Sequence, residues 1–256
     1  MGWLLSGRRL GLWFVVLLLA AWELSARTGL VSSPNWPPVS AVFAALGREI
    51  GDGTLLPAML GTLYRMAVGF SVGSIAGILL GLLMGANQWV RWMLEPTLEF
   101  LRPLPVPALV PPLILFLGLD DPMKISIVAF TAMFPVLINT LEGAISIEPT
   151  YRAVAATFGI PWLGTLCRVL FPAALPYVFA GLRISLGLSF VVAVAGEMIA
   201  GSSGVGYYLV SMQYAGRAAD MCGALLLLGL CGYAVNWSFL CIDHRVLHWH
   251  ARSFSE

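Results

Sequence analysis

Charge is what this sequence has least of. Only 11% of its 256 residues are Asp, Glu, Lys or Arg, against about 25% in an ordinary soluble domain. Lys plus Arg number 14 and Asp plus Glu 13, for a formal net charge of +1. Without a basic excess, the chain lacks the electrostatic footprint of a nucleic-acid binder. With so little charge it is not a disordered chain either. The four cysteines, Cys167, Cys222, Cys231 and Cys241, are too few for a disulfide scaffold and fall in no zinc spacing. They suit small apolar positions in a helix bundle. The 27 glycines follow no Gly-X-Y period, which excludes a collagen. No G-x-x-x-x-G-K-S/T stretch occurs, so no phosphate loop is present and the chain is not itself an ATP-hydrolysing enzyme.

What is abundant is apolar: 59% of the residues are hydrophobic. A bilayer core about 30 Å thick needs about 20 apolar residues as a helix. Lipid offers no hydrogen bonds, so a spanning segment is a helix or part of a closed barrel. Barrel strands alternate in polarity, and the runs here do not. The reading is an all-α polytopic membrane protein, one transmembrane domain over 1–256. Its spans are placed at about 10–26, 66–85, 103–119, 125–141, 173–196 and 221–241. The first follows Arg8 and Arg9, as a signal peptide would. Its exit, Ala21-Trp22-Glu23-Leu24-Ser25-Ala26, carries no A-x-A cleavage site, so it reads as an uncleaved span with Glu23 reaching water.

Six spans place both termini on one side. With that side cytoplasmic, the inner segments hold Arg8, Arg9, Arg91, Arg102, Arg152, Arg168, Arg245 and Arg252, and the outer ones only Arg27, Arg48, Lys124 and Arg217. The bias favours cytoplasmic termini. After Pro34, Pro37 and Pro38, the segment Val39 to Ile50 repeats Val42, Phe43, Leu46 and Ile50 at helical spacing, with Arg48 and Glu49 off that face. This predicts a helix outside the membrane, either interfacial or an ordinary surface helix.

Two spans have unusual composition. Gly69, Gly73, Gly77, Gly81 and Gly85 recur every fourth residue. Small residues at that spacing let helix backbones approach closely. Four residues turn a helix by about 400°, so the stripe drifts by about 40° per step. That drift predicts a helix wrapped between two partners rather than one straight neighbour. The third run holds Pro103, Pro105, Pro107, Pro111 and Pro112. Proline breaks the helical ladder, and broken helices in membranes lie inside protein or beside a cavity.

The stretch 148–172 is the informative loop. Pro149 suits a helix start. Gly159 suits its end, with Pro161 blocking continuation. Here the chain resembles the permease subunits of bacterial binding-protein-dependent ABC importers. Their signature is Glu-Ala-Ala, three residues, Gly, nine residues, Ile, one residue, Leu-Pro. Ala153, Val154 and Ala155 fall on the triplet, Gly159 on the Gly, Val169 on the Ile, and Phe171-Pro172 on the Leu-Pro. Ala155, Gly159 and Pro172 match; Ala153 departs, because the family usually has Glu there. Further likeness runs from about Pro34 to Leu209. It includes Leu63 to Phe70, Phe100 to Pro105, Gly181 to Ile184, and Gly196 to Ala200 followed by Gly204 to Tyr207. These look like the subgroup that imports nitrate, bicarbonate, taurine and alkanesulfonates.

The resemblance implies six transmembrane helices of the ABC importer permease type in a bacterial inner membrane. It implies a second permease copy, two ATPase subunits that bind ATP and Mg, and a solute-binding protein. It implies no cofactor in this chain. The loop 148–172 would dock the ATPase through Arg152, Ala153, Ala155, Phe158, Gly159 and Pro172. The solute would be a small anion such as a sulfonate, nitrate or a related organic acid.

Ionisable or amide groups in spans are candidates for the path or gate: Asn139, Arg183 and Glu197. Each has a structural alternative. Arg183 would pair with a carboxylate such as Glu142 or snorkel to the interface. Glu197 would bond the backbone near the small-residue stretch Ala200 to Gly206, and Asn139 would bridge helices. A stand-alone secondary transporter or channel is the alternative function. It needs paired ionisable residues near mid-membrane, where only Arg183 is close. Ser202, Ser203, His244, His248 and His250 form no nucleophile-and-base arrangement, and no metal site is read from them.

Overall fold

The computed structural model describes residues 2–31, 33 and 35–248, without the side chains of residues 2–9, 12, 149 and 152. His250 and Arg252 lie outside the described residues, as does Pro34. The described chain is helical throughout, with elements α1 (Gly2–Arg27), α2 (Val39–Gly51), α3 (Leu55–Ala86), α4 (Gln88–Leu101), α5 (Val106–Leu117) and α6 (Asp121–Ile145). There follow α7 (Pro149–Thr157), α8 (Trp162–Thr165), a π-helical turn (Leu166–Leu170), α9 (Phe171–Ala200), α10 (Val205–Tyr214) and α11 (Ala218–Val246). Among the described residues, four helical segments are long and apolar enough to cross a membrane: α3, α6, Trp162–Ala200 and α11. A fifth crossing is made if the bent pair α4 and α5 counts as one.

The core is the pairing of α3 with α6. Every glycine of the stripe faces α6, and in the same order along both helices. A Cβ added at Gly69 would meet Val128, at Gly77 the carbonyl of Met133 at 2.6 Å, at Gly81 Thr140 at 2.7 Å, and at Gly85 Ala144. The helices therefore run parallel, backbone nearly against backbone. This corrects the expectation of two partners: one neighbour serves all five glycines. The reason is that α6 carries its own four-residue row, Val128, Ala132, Val136, Thr140 and Ala144. Rows four residues apart are inclined to the helix axis, and a period above 3.6 winds right-handed. Two such rows follow each other instead of diverging.

Two parallel neighbours require the chain between them to return across the bundle. α4 and α5 make that return. They are 14 and 12 residues long and meet at 98°. At 1.5 Å per residue they span only about 21 and 18 Å, so neither crosses alone. The sequence places a span at 103–119 and a polar connection before it. Over that connection the structure has a helix, α4, and the break between it and α5 falls between Leu101 and Val106, where Pro103 and Pro105 stand. Pro111 and Pro112 stay inside α5 without ending it.

α9 packs antiparallel to α6. Gly181 lies against Pro135 and Asn139 of α6, Gly143 of α6 lies under Tyr177, and the buried Ser185 hydroxyl donates to the Ala132 carbonyl at 2.9 Å. α11 packs on α9 through Phe239 on Phe179. These contacts define two ends: a head, with the start of α3 and α6 and the end of α9, and a loop end, with α7 and α8.

α2 docks at the head through Val39, Val42, Ala45 and Glu49, while Phe43 and Ile50 are exposed. The inward face is thus turned from the one the apolar spacing suggests, because Glu49 finds partners inside. It accepts from Thr54 at 2.8 Å and from Arg217 at 2.7 Å. Burial alone raises the Glu49 carboxyl, but the Thr54 and Arg217 hydrogen bonds outweigh it and leave it below its ordinary value. Glu23 of α1 does more than reach water: it accepts from the Ser40 backbone N–H at 3.0 Å, at the start of α2, where a negative charge suits the helix dipole.

Gly77→Leu should push α3 off α6 and lower stability by about 1–3 kcal/mol, the usual range for overpacking. Gly187→Leu, at a glycine with nothing within 4 Å, should not. Thermal unfolding of both variants in detergent checks this; equal melting would show that the ladder is not tight.

Candidate functional site

The loop end is built as a stiff, exposed element. α7 closes with a paired hydrogen-bond motif: Gly159 N–H donates to the Ala156 carbonyl and Ile160 N–H to that of Ala155, both at 3.0 Å. The motif needs a left-handed residue, and Gly159 supplies φ +64°. Tyr151, Val154 and Phe158 are exposed, Phe158 at 78%, and Trp162 and Leu163 of α8 are exposed beside them. This is an apolar patch with no cover from the chain itself. Behind it lies a recess of about 610 Å³ lined by Glu148, Tyr151, Arg168 and Pro172 among others. The π-helical turn then joins this element to the membrane-crossing α9 without a flexible link.

Ala155, grouped in the sequence with the docking residues, is buried at 2% exposure. Its side chain is turned toward its own chain. Ala153, Phe158 and Gly159 are exposed, and Pro172 is half-buried. The Arg152 side chain lies outside the described residues.

At the head, three helices and a turn meet in a buried polar knot. Glu197 of α9 has a fully buried side chain. Its carboxylate accepts from Arg65 Nη1 at 2.6 Å, from Thr62 Oγ1 at 2.8 Å and from the Gly206 N–H at 3.0 Å. Arg65 also donates from Nε to Asp121 at 2.6 Å and from Nη2 to the Ser203 hydroxyl at 2.6 Å. Val205 N–H donates to Thr62 at 3.0 Å. Gly204, at φ +102°, lies so close that an added Cβ would strike the Glu197 carboxylate. The knot fixes α3, α6, α9 and the turn into α10 together.

Asn139, Arg183 and Glu197 are not brought together. Asn139 donates to the Pro135 carbonyl at 2.8 Å and sits opposite Gly181, at the contact of α6 with α9. Arg183 pairs with Asp243 of α11 rather than with Glu142. The last span was placed at about 221–241, which left Asp243 beyond it, whereas α11 continues to Val246. Glu197 has the structural bonds, and side-chain partners besides. Sequence reasoning missed Arg65 and Thr62 as members of the knot. A usable signal existed: Arg65 and Glu197 are opposite charges at the same end of two apolar runs, and a charge there needs a partner.

The parallel and antiparallel packing of long apolar helices defines a polytopic helical membrane protein. Comparison with known proteins gives the family. The inner membrane components of binding-protein-dependent transport systems match residues 73–247, and the chain belongs to that family. It is a multi-pass membrane protein and a permease subunit of an ABC importer. It is 29% identical to the aliphatic sulfonate transport permease of Bacillus subtilis, over 93% of this chain and 87% of the relative. It is 32% identical to the bicarbonate transport permease of Synechococcus elongatus, over 91% and 87%. It is likewise 32% identical to the nitrate import permease of Leptolyngbya laminosa, over 89% and 80%. Among solved structures, the fold resembles a chain of the bacterial alginate ABC transporter in complex with its alginate pentasaccharide-bound periplasmic protein. The TM-score is 0.64 at 16% identity, covering 93% of this chain and 96% of that one.

Glu197→Gln should lower stability by about 3–5 kcal/mol, as breaking a buried pair does. Arg183→Gln should lower it by about 0–1 kcal/mol, because that pair is half exposed. Melting temperatures of the two variants check the ranking, and the reverse order would show the knot to be dispensable.

Proposed function

We propose that two copies of this chain form the pathway of an importer that carries a small oxyanion or sulfonate across the inner membrane. A binding protein delivers the solute, and two ATPase subunits bind ATP and Mg and drive the cycle. Each copy contributes six spans, α1 and the α4–α5 pair among them, with both termini cytoplasmic. The observation that carries this reading is the exposed patch of Tyr151, Val154, Phe158, Trp162 and Leu163 on a stiff element continuous with α9. An ATPase that grips such a patch moves a spanning helix directly, as a rigid body between two packed states. The named substrates of the relatives, aliphatic sulfonates, bicarbonate and nitrate, support the anionic class.

Docking then rests on apolar contact, since Ala153 brings no charge. Phe158→Ala should weaken association with the ATPase about tenfold, the worth of a buried aromatic side chain. Ala153→Glu should change it little, because an exposed ion pair contributes about 0–1 kcal/mol. Co-purification of the ATPase with each variant at low and high salt tests this. Strong loss with Ala153→Glu and none with Phe158→Ala would mean that another face docks.

A further inference from the structure

The adjacent prolines Pro111 and Pro112 open the backbone ladder of α5 at one point. In a helix the carbonyl of residue i accepts from the N–H of residue i+4, or from that of i+3 where the turn tightens. For the Ala108 carbonyl these positions are Pro112 and Pro111, and proline has no N–H. α5 is nevertheless helical from Val106 to Leu117. It holds no hydroxyl, amide or charged side chain that could donate in their place. Among the described residues no side chain of another element donates to Ala108 either.

This carbonyl lies at membrane depth. The inner row of α5, Val106, Val110, Leu113 and Ile114, packs with Met123 and Ile127 of α6 and Val192 of α9. Ile127 stands about 9 Å inside the start of α6. Ala108 is farther along the chain from that start than Val110, so it is at least as deep. The opposite row, Pro107, Ala108, Pro111 and Pro112, is exposed. Lipid has no donor, and backbone left open at such depth is tolerated only against protein or water. A second copy does not supply the donor: across a two-fold axis this row meets itself. Its prolines have no N–H, and the Ala108 N–H already donates to the Pro105 carbonyl at 2.9 Å. Water remains. We propose that the exposed row of α5 is a wall of the water-filled path between the two copies, with water donating to the Ala108 carbonyl. This rests on the reading of the chain as half of a two-copy importer, which puts a path beside the row.

The test uses the permease–ATPase complex in lipid nanodiscs, which leave both membrane faces open. Cys167, Cys222, Cys231 and Cys241 are first replaced by Ser. Val72 is the comparison: it is exposed on α3, next to Gly73, which meets Ala129 of α6 at a similar depth. A thiol reacts as its thiolate, which needs water, so Ala108→Cys should react with a charged, lipid-insoluble maleimide about tenfold faster than Val72→Cys. The adduct at Ala108→Cys should also bring a loss of ATP turnover. A rate no faster than that of Val72→Cys would overturn the proposal. So would oxidative cross-linking of Ala108→Cys between copies without labelling, the mark of a dry contact. Fast labelling with unchanged turnover would place the wet row off the path and overturn the assignment as well. A wild-type complex that hydrolyses no ATP, but whose Ala108→Cys variant still labels fast, would keep the wet row and overturn the importer reading instead.

Discussion

The close approach of α3 to α6 is the constraint on which the rest of the bundle depends. In lipid there is no hydrophobic force between helices, so association relies on van der Waals contact and on what hydrogen bonds exist. Removing the side chain at five positions of α3 brings its backbone against that of α6. Because the two helices are parallel, the chain between them must cross back, and the broken α4–α5 pair follows from that need. α9 can then pack antiparallel on α6, and its far end arrives beside Arg65. The polar knot at the head is thus a consequence of helix direction as much as of side-chain chemistry.

Much of the fold was legible in the sequence, for reasons that differ by element. α6, α9 and α11 were visible as long apolar runs, since twenty such residues have few other uses. The second span was placed at about 66–85, while the helix that holds it, α3, begins at Leu55 and carries Arg65 inside it. A charge ends a span only if it has no partner inside, and Arg65 has two acids. The stretch of α4 holds Arg91, Glu95, Glu99 and Arg102 and no long apolar run, so it was not placed in a span. Its place between the end of α3 and the start of α6 is tertiary information. The glycine stripe was seen, but its partner was not, because the matching row on α6 uses Val, Ala and Thr and does not stand out in composition.

The candidate site divides in the same way. The loop was legible because its parts are local: a proline start, an alanine-rich helix and a glycine that must adopt positive φ. The knot was not, because its members come from residues 62, 65, 121, 197, 203 and 206. No sequence period links them. That Ala155 turns inward while Phe158 turns outward was likewise beyond a short helix with weak patterning, where three residues separate two opposite environments.

The parallel ladder also bears on how the chain is made. Each of the five stripe glycines of α3 meets a residue about 60 positions downstream, and non-local pairing of this kind is slow to form. As the polypeptide emerges from the ribosome, α3 enters the bilayer well before α6 exists. During that interval its bare backbone stripe faces lipid, or a temporary neighbour, with nothing to fill the groove. The sequence of biosynthesis therefore leaves a half-built intermediate whose most adhesive surface is uncovered until the sixth helix is inserted.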